Sequence, residues 1–146
     1  MRTLAVVVTG LVLGLGLFPF ASPQCPTWTV TVVDKSDRPV SGLTVRLSYQ
    51  DYSAESESHE VDKITDQRGS VTFSGQKLHA SLFRRCYYTL LSARAGVHAS
   101  FGPYASVIAF GDGWEGSAVD AKGNVLFWRG KPMRMGSRIV LDRSKS

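Results

Sequence analysis

The chain has 146 residues and a formal net charge of +5; 43% of its residues are apolar and 20% are charged. That length is one domain's worth. Two cysteines cannot complete a metal site by themselves, and His59, His79 and His98 have no partner at a spacing typical of a local metal motif, so no cofactor is expected.

In chain order, residues 1–24 read as a secretion signal. Met1-Arg2 gives a positive start, and Thr3 to Phe20 is an uncharged apolar stretch. Ala21 suits the position before a cut, whereas Pro19 stands where a second small residue is wanted. The mature chain is expected to begin between Ser22 and Cys25, leaving one secreted or periplasmic domain over 25–146. The alternative is an uncleaved membrane anchor over 3–20, near the lower length limit for a bilayer span. Ser22-Pro23-Gln24-Cys25 lacks the small residues that a lipid-attachment box needs. Cys25 and Cys86 are the only thiols, and in an oxidising compartment one Cys25–Cys86 disulfide is the economical expectation.

Trp28 to Asp34 is β-branched and alternating, which predicts a strand. Pro39 and Gly42 punctuate the connection to Leu43–Tyr49. There Leu43, Val45, Leu47 and Tyr49 share one face, while Thr44, Arg46 and Ser48 face water, the pattern of a half-buried antiparallel strand. Residues 51–60 offer little to bury and predict a polar surface loop. Val61–Thr65 and Ser70–Phe73 follow as strands, joined by a turn in which Gly69 takes a positive φ.

The period then changes. Leu78, Leu82, Cys86 and Leu90 recur every four residues, and Phe83, Tyr87 and Leu91 widen the stripe; Arg84, Arg85, Ser92 and Arg94 lie off it. This predicts one inserted helix over about 77–95, ended by Gly96. Tyr104–Phe110, Asn124–Trp128 and Ser137–Leu141 read as further short strands, and Ser117–Asp120 pairs back on the first of them. Residues 111–116 form a turn, and 129–136 an irregular basic connection. The whole reads as mainly β, a seven-stranded antiparallel sandwich.

Val30-Thr-Val-Val-Asp34, Arg38-Pro-Val-Ser-Gly42, Leu43-Thr-Val-Arg-Leu47 and Thr65-Asp-Gln-Arg-Gly69 leading into Val71-Thr-Phe73 together resemble the carboxypeptidase regulatory-like domains. That is a family of transthyretin-like (Ig-like) β-sandwiches. The resemblance covers about 45 residues and implies a fold. It also implies an accessory module without chemistry of its own. The helix and the stretch from His98 to Gly116 have no place in the family's minimal pattern.

Charge is unevenly placed. Residues 51–66 carry six acids against Lys63; 67–111 carry five basic residues and no acid; 129–145 carry six basic residues against Asp142. Such asymmetry steers acidic partners. His59 sits among Glu57, Glu60 and Asp62, a weak divalent-ion pattern that a solvated loop explains better. His98 and Ser100 could contribute to a hydrolase triad, but no Gly-x-Ser-x-Gly elbow is present. Arg84-Arg85 beside Tyr87 and Tyr88 could suggest nucleic acid, but an amphipathic helix accounts for the same residues, so no nucleic-acid partner is expected. Trp114 in a glycine-rich turn, with Trp128, Arg129, Lys131 and Arg134, forms the candidate binding surface. The expected role is an exported, non-enzymatic module that binds a protein or glycan of the cell envelope. A purely structural envelope protein stands second, and a hydrolase third.

Overall fold

The computed structural model describes residues 2–143; Met1 of the expected signal and residues 144–146 of the expected domain lie outside them. Helix α1 (Arg2–Leu17) leads into strand β1 (Pro19–Cys25). Then come β2 (Thr27–Val33), β3 (Thr44–Asp51), β4 (His59–Ile64), β5 (Ser70–Phe73) and β6 (Gln76–Ser81). Helix α2 (Leu82–Ala93) and a single 3-10 turn over Gly96–His98 precede β7 (Pro103–Gly111), β8 (Trp114–Ser117), β9 (Arg134–Val140) and β10 (Asp142–Arg143). The protein is mainly β, with nine strands of four or more residues and one of two among the described residues.

The strands form three sheets, ordered β10-β8-β7-β3-β4, β5-β2-β9 and β1-β6. All pairings are antiparallel except β2 with β9, which run parallel with Trp28 opposite Met135 and Val30 opposite Ser137. The expected seven antiparallel strands are thus corrected in number and in direction. A parallel neighbour needs a connection of a dozen or more residues, and here residues 34–133, which contain β3 to β8, lie between the two strands.

One core gathers the alternate residues of the two larger sheets. Val45 and Leu47 of β3 and Val107 and Ala109 of β7 meet Trp28, Val30 and Val32 of β2 and Ile139 of β9. The Trp28 Nε1–H donates to Ser137 Oγ at 2.9 Å, which ties β2 to β9. The turns quoted for the resemblance are built as their residue types demand. Asp34 Oδ1 accepts the amides of Ser36 and Arg38. Asp66 Oδ1 accepts those of Arg68 and Ser70. The buried Thr65 hydroxyl donates to Val40 O and accepts from Leu43 N. Gly69 takes φ +67°, and a Cβ there would lie 2.6 Å from Val32 O.

Four expectations are corrected. First, Gln76–Ser81 is a strand and not the start of the helix. It pairs with β1, placing Leu78 opposite Ser22. The helix begins at Leu82, where Ser81 Oγ accepts the amide of Arg84 at 3.2 Å and caps it. Second, Asn124–Trp128, expected as a strand, forms only isolated bridges, Val119 with Val125 and Ala105 with Trp128. Third, the turn expected over 111–116 is shorter, because Gly111-Asp112-Gly113 reverses the chain and Trp114–Ser117 already pairs with β7.

Fourth, the two cysteines are not bonded. Cys25 is fully buried in the core beside β6, and Cys86 is exposed on α2. The thiols are held apart because α2 turns its cysteine-bearing side outward. Burial pushes the Cys25 thiol pKa up, opposed in part by a hydrogen bond with the backbone of Gln76.

Candidate functional site

The segment expected to be a solvated loop is instead docked. Asp51 ends β3 and is buried, and its carbonyl accepts the amides of Ala54 and Glu55 at 2.8 and 2.9 Å. This folds the chain back and buries Ala54 and Glu55. The Glu55 carboxylate then collects three partners. Oε1 accepts from Gln24 Nε2 at 2.6 Å and from Asp51 N at 3.0 Å, and Oε2 lies 3.0 Å from His59 Nε2. Burial acts to raise the Glu55 pKa, but the hydrogen bonds from His59, the Asp51 amide and Gln24 outweigh it and hold the carboxyl below its usual range. The His59 ring also stacks on Tyr49, with centroids 5.2 Å apart.

Helix α2 closes over this cluster through its polar side. Arg84 Nε donates to Ala54 O at 2.7 Å, and Ser92 Oγ donates to Tyr52 O at 2.9 Å. Arg85 donates to Ser22 Oγ at 2.6 Å and reaches Asp51 Oδ2 at 3.4 Å. The cluster therefore joins β1, β3, the 52–58 turn and α2. Every buried side-chain polar atom described has a partner, so the cluster reads as a clamp. Among the described residues, no three His, Cys, Asp or Glu side chains gather as a metal site.

Beside the clamp lies an aromatic row in which Tyr52 and Tyr104 are half-buried and Phe127 is exposed. Tyr52 follows β3, and its amide donates to Gly102 O at 3.1 Å. Tyr104 stands in β7 opposite Gln50. The segment around Trp128 is pinned to β7 by two backbone hydrogen bonds, Trp128 N to Ala105 O at 2.8 Å and Ala105 N to Trp128 O at 3.1 Å. Trp128 itself is fully buried, and its Nε1–H donates to Pro132 O at 2.6 Å. Its two neighbours instead meet Tyr104. The Phe127 ring lies 5.3 Å from that of Tyr104, and the Arg129 guanidinium sits 5.4 Å over it. Tyr52 extends the row, 6.2 Å from Tyr104. Phe127 keeps 46% of its surface exposed and Phe101 keeps 48%.

The predicted surface is thus only partly assembled. Trp128 is a core residue, which corrects its place among the binding residues, and Trp114 packs half-buried against the core. Arg129, Lys131 and Arg134 are exposed, and Arg129 alone of these is shown stacked on an aromatic ring. Sequence reasoning missed Tyr52, Tyr104 and Phe127. The available signal was the offset between Phe127 and Trp128, because one buried ring in an extended segment forces its neighbours outward. His79 and His98 are exposed and apart from the clamp. A shallow groove of about 700 Å³ lies over β7 and β8, lined by Arg46, Ile108, Phe110, Glu115 and Asp142. Its arginine is already engaged by Asp62 and Glu60.

No family model matches the chain, and no curated protein matches its sequence. Among solved structures it is similar to a 3-chlorocatechol 1,2-dioxygenase from Rhodococcus opacus 1CP, with a TM-score of 0.51 at 14% identity over 88% of this chain. It also matches a 9R-lipoxygenase from Cyanothece PCC8801, with a TM-score of 0.29 at 12% identity over 80% of this chain. The chain spans 63% of the dioxygenase and 16% of the lipoxygenase. At that identity the dioxygenase shares with this chain an arrangement of strands, and the likeness reaches no further than the fold.

Proposed function

We propose that this chain is an exported, non-enzymatic β-sandwich module of the transthyretin-like kind that binds a protein or glycan of the cell envelope. The arginine-capped row of Tyr52, Tyr104 and Phe127 is the surface that does so. The observation that carries the reading is the row itself. Three aromatic rings and a guanidinium lie side by side on a face set by a buried tryptophan, with the central ring pinned in a β-strand. Tyrosine and arginine on a rigid support are the side chains that concentrate binding energy at interfaces, and aromatic faces with polar tips suit partners that are apolar and wet by turns. The exposed bases Lys131 and Arg134 follow in the chain and favour an acidic partner. The Arg2 start and the apolar stretch after it support export.

A structural role remains the second reading, favoured by the inward placement of Trp128. The two separate in a paired capture experiment. Wild-type protein and a Tyr104→Ser/Arg129→Ser variant are used as baits against a native envelope extract and against a panel of envelope glycans. Retention of a defined partner by the wild type and its loss in the variant supports binding. Equal retention by both, or none by either, favours the structural reading.

A further inference from the structure

Helix α2 is docked inside out. Its half-covered side bears Arg85, Tyr88, Thr89 and Ser92, and no residue of the helix is buried. The opposite side bears Leu82, Phe83, Cys86, Tyr87 and Leu90, all exposed, with Tyr87 at 62% and Leu90 at 70%. Leu82, Cys86 and Leu90 line a shallow apolar depression that runs round the helix to Arg85 and Thr89 at the edge of the half-covered side. A surface helix ordinarily turns this stripe to the core. Here the polar bonds to Ala54, Asp51, Ser22 and Tyr52 fix the opposite orientation.

The face continues onto α1. Gly16 lies so close to the Phe83 ring that a Cβ there would overlap it, at 2.3 Å. Apart from Gly16, α1 is exposed along its length and carries no charge after Arg2. Phe18 and Phe20, between α1 and the body of the domain, are exposed as well, with their rings edge to face at 5.1 Å. A helix apolar all round needs an apolar surrounding on every side. At 1.5 Å per residue, sixteen residues reach about 24 Å, short of a bilayer core of roughly 30 Å, and no described helix is long and apolar enough to cross a membrane. Residues 67–111, which contain α2, carry five basic residues and no acid. Of these, Lys77 and Arg94 are exposed on β6 and just beyond α2. Helix α2 itself carries Arg84 and Arg85, with Arg94 just past its end, and no acid, and basic residues beside an apolar face suit an anionic bilayer.

We propose that α1 stays attached to the domain and that the outer face of α2 lies with it in the surface of an anionic membrane. The domain is then held at two points, so that its orientation is fixed as well as its location. The proposal rests on the export reading and is independent of the aromatic row.

Because Cys25 is buried and Cys86 is exposed, a polarity-sensitive fluorophore can be placed on Cys86 of the native full chain, with the labelled position checked by peptide mass. The chain is mixed with vesicles of equal parts phosphatidylcholine and phosphatidylglycerol, with and without lipids carrying a quencher on the acyl chain. The expected result is a blue shift and a loss of emission with the quencher lipid. A Tyr87→Glu/Leu90→Glu variant, altered only at exposed positions, should abolish both while α1 still carries the protein to the vesicle pellet. Emission at Cys86 unchanged by the quencher lipid, in protein that sediments with the vesicles, would overturn the proposal. So would a blue shift that appears without lipid and grows with protein concentration, since a second copy would then cover the face. Loss of partner capture in the Tyr104→Ser/Arg129→Ser variant has no bearing on either readout.

Discussion

Replacing Glu55 by alanine removes the acceptor that holds the turn after β3 against the body of the protein. The carboxylate takes one bond from the buried Gln24 amide, one from the Asp51 amide and one from His59. Alanine leaves the first two donors buried without an acceptor. An unsatisfied buried polar group costs about 1–3 kcal/mol, so two give roughly 2–6 kcal/mol. Water entering from the exposed His59 side trims this toward about 3 kcal/mol. That is a large part of the roughly 5–15 kcal/mol that holds a domain folded. With a urea slope of about 1–3 kcal/mol per molar, the midpoint should fall by about 1–3 M at unchanged slope. Glu55→Gln keeps an oxygen facing Gln24 and Asp51 and should cost about a third as much. A Glu55→Ala midpoint within about 0.3 M of wild type would refute the clamp and return residues 51–60 to the solvated loop that their composition suggests.

Other outcomes follow from the same structure. Glu55, Asp34, Asp62 and Asp120 all have pKa values held below the ordinary range. The causes are hydrogen bonds from His59 and buried amides for Glu55, the Arg38 amide for Asp34, Arg46 for Asp62 and the Asn124 amide for Asp120. Their contribution is complete above the unfolded carboxyl pKa of about 4 and is lost as pH falls through the lower folded values. Urea midpoints should therefore be flat from about pH 5 to about pH 8 and drop on the acid side, and a rise on acidification would contradict this. Above that window, in the thiol range, the raised pKa of buried Cys25 begins to cost stability. Gly69→Ala should destabilise by about 1–3 kcal/mol, because φ is positive and the Val32 carbonyl blocks the Cβ; calorimetry showing an unchanged Tm would contradict it. Thiol titration should count one reactive group, Cys86, in native protein and two after denaturation without reductant, and reductant should leave the urea midpoint unmoved. Arg129→Ala should change stability by less than about 0.5 kcal/mol, in contrast to Trp128→Ala, which empties a fully buried site and should cost about 3–5 kcal/mol.

The sheets were legible where side-chain period and turn chemistry agree. Alternation placed β2, β3, β5 and β7 to within a residue or two, and Asp34, Asp66 and Gly69 announced the turns that join them. The parallel pairing of β2 with β9 was not legible, because alternation says which face of a strand is buried and nothing about which neighbour it takes. Residues 76–81 repeat the apolar spacing of the following helix at Leu78, and only pairing with β1 makes them a strand. The direction in which α2 faces was not legible either. Leu82, Cys86 and Leu90 do share a helical face, but the polar bonds of Arg84, Arg85 and Ser92 turn that face outward. The acidic loop misled for a related reason: Glu55 looks solvated in isolation, and its partners Gln24 and Asp51 come together only in three dimensions. Of the candidate binding surface, Arg129 is in the row and Trp128 lies beneath it.

Site-specific photocrosslinking tests the binding surface most directly. A photoreactive phenylalanine analogue is placed at Phe127 in the full chain, expressed in its native cells. A control carries the analogue at Ile64, which is also exposed but lies at the other end of the sheet, opposite Thr44 and not beside Pro103. The account predicts a discrete adduct from position 127 that disappears when Arg129→Ser is added, and none from position 64. Adducts of equal yield from both positions, or no adduct from position 127, would contradict it.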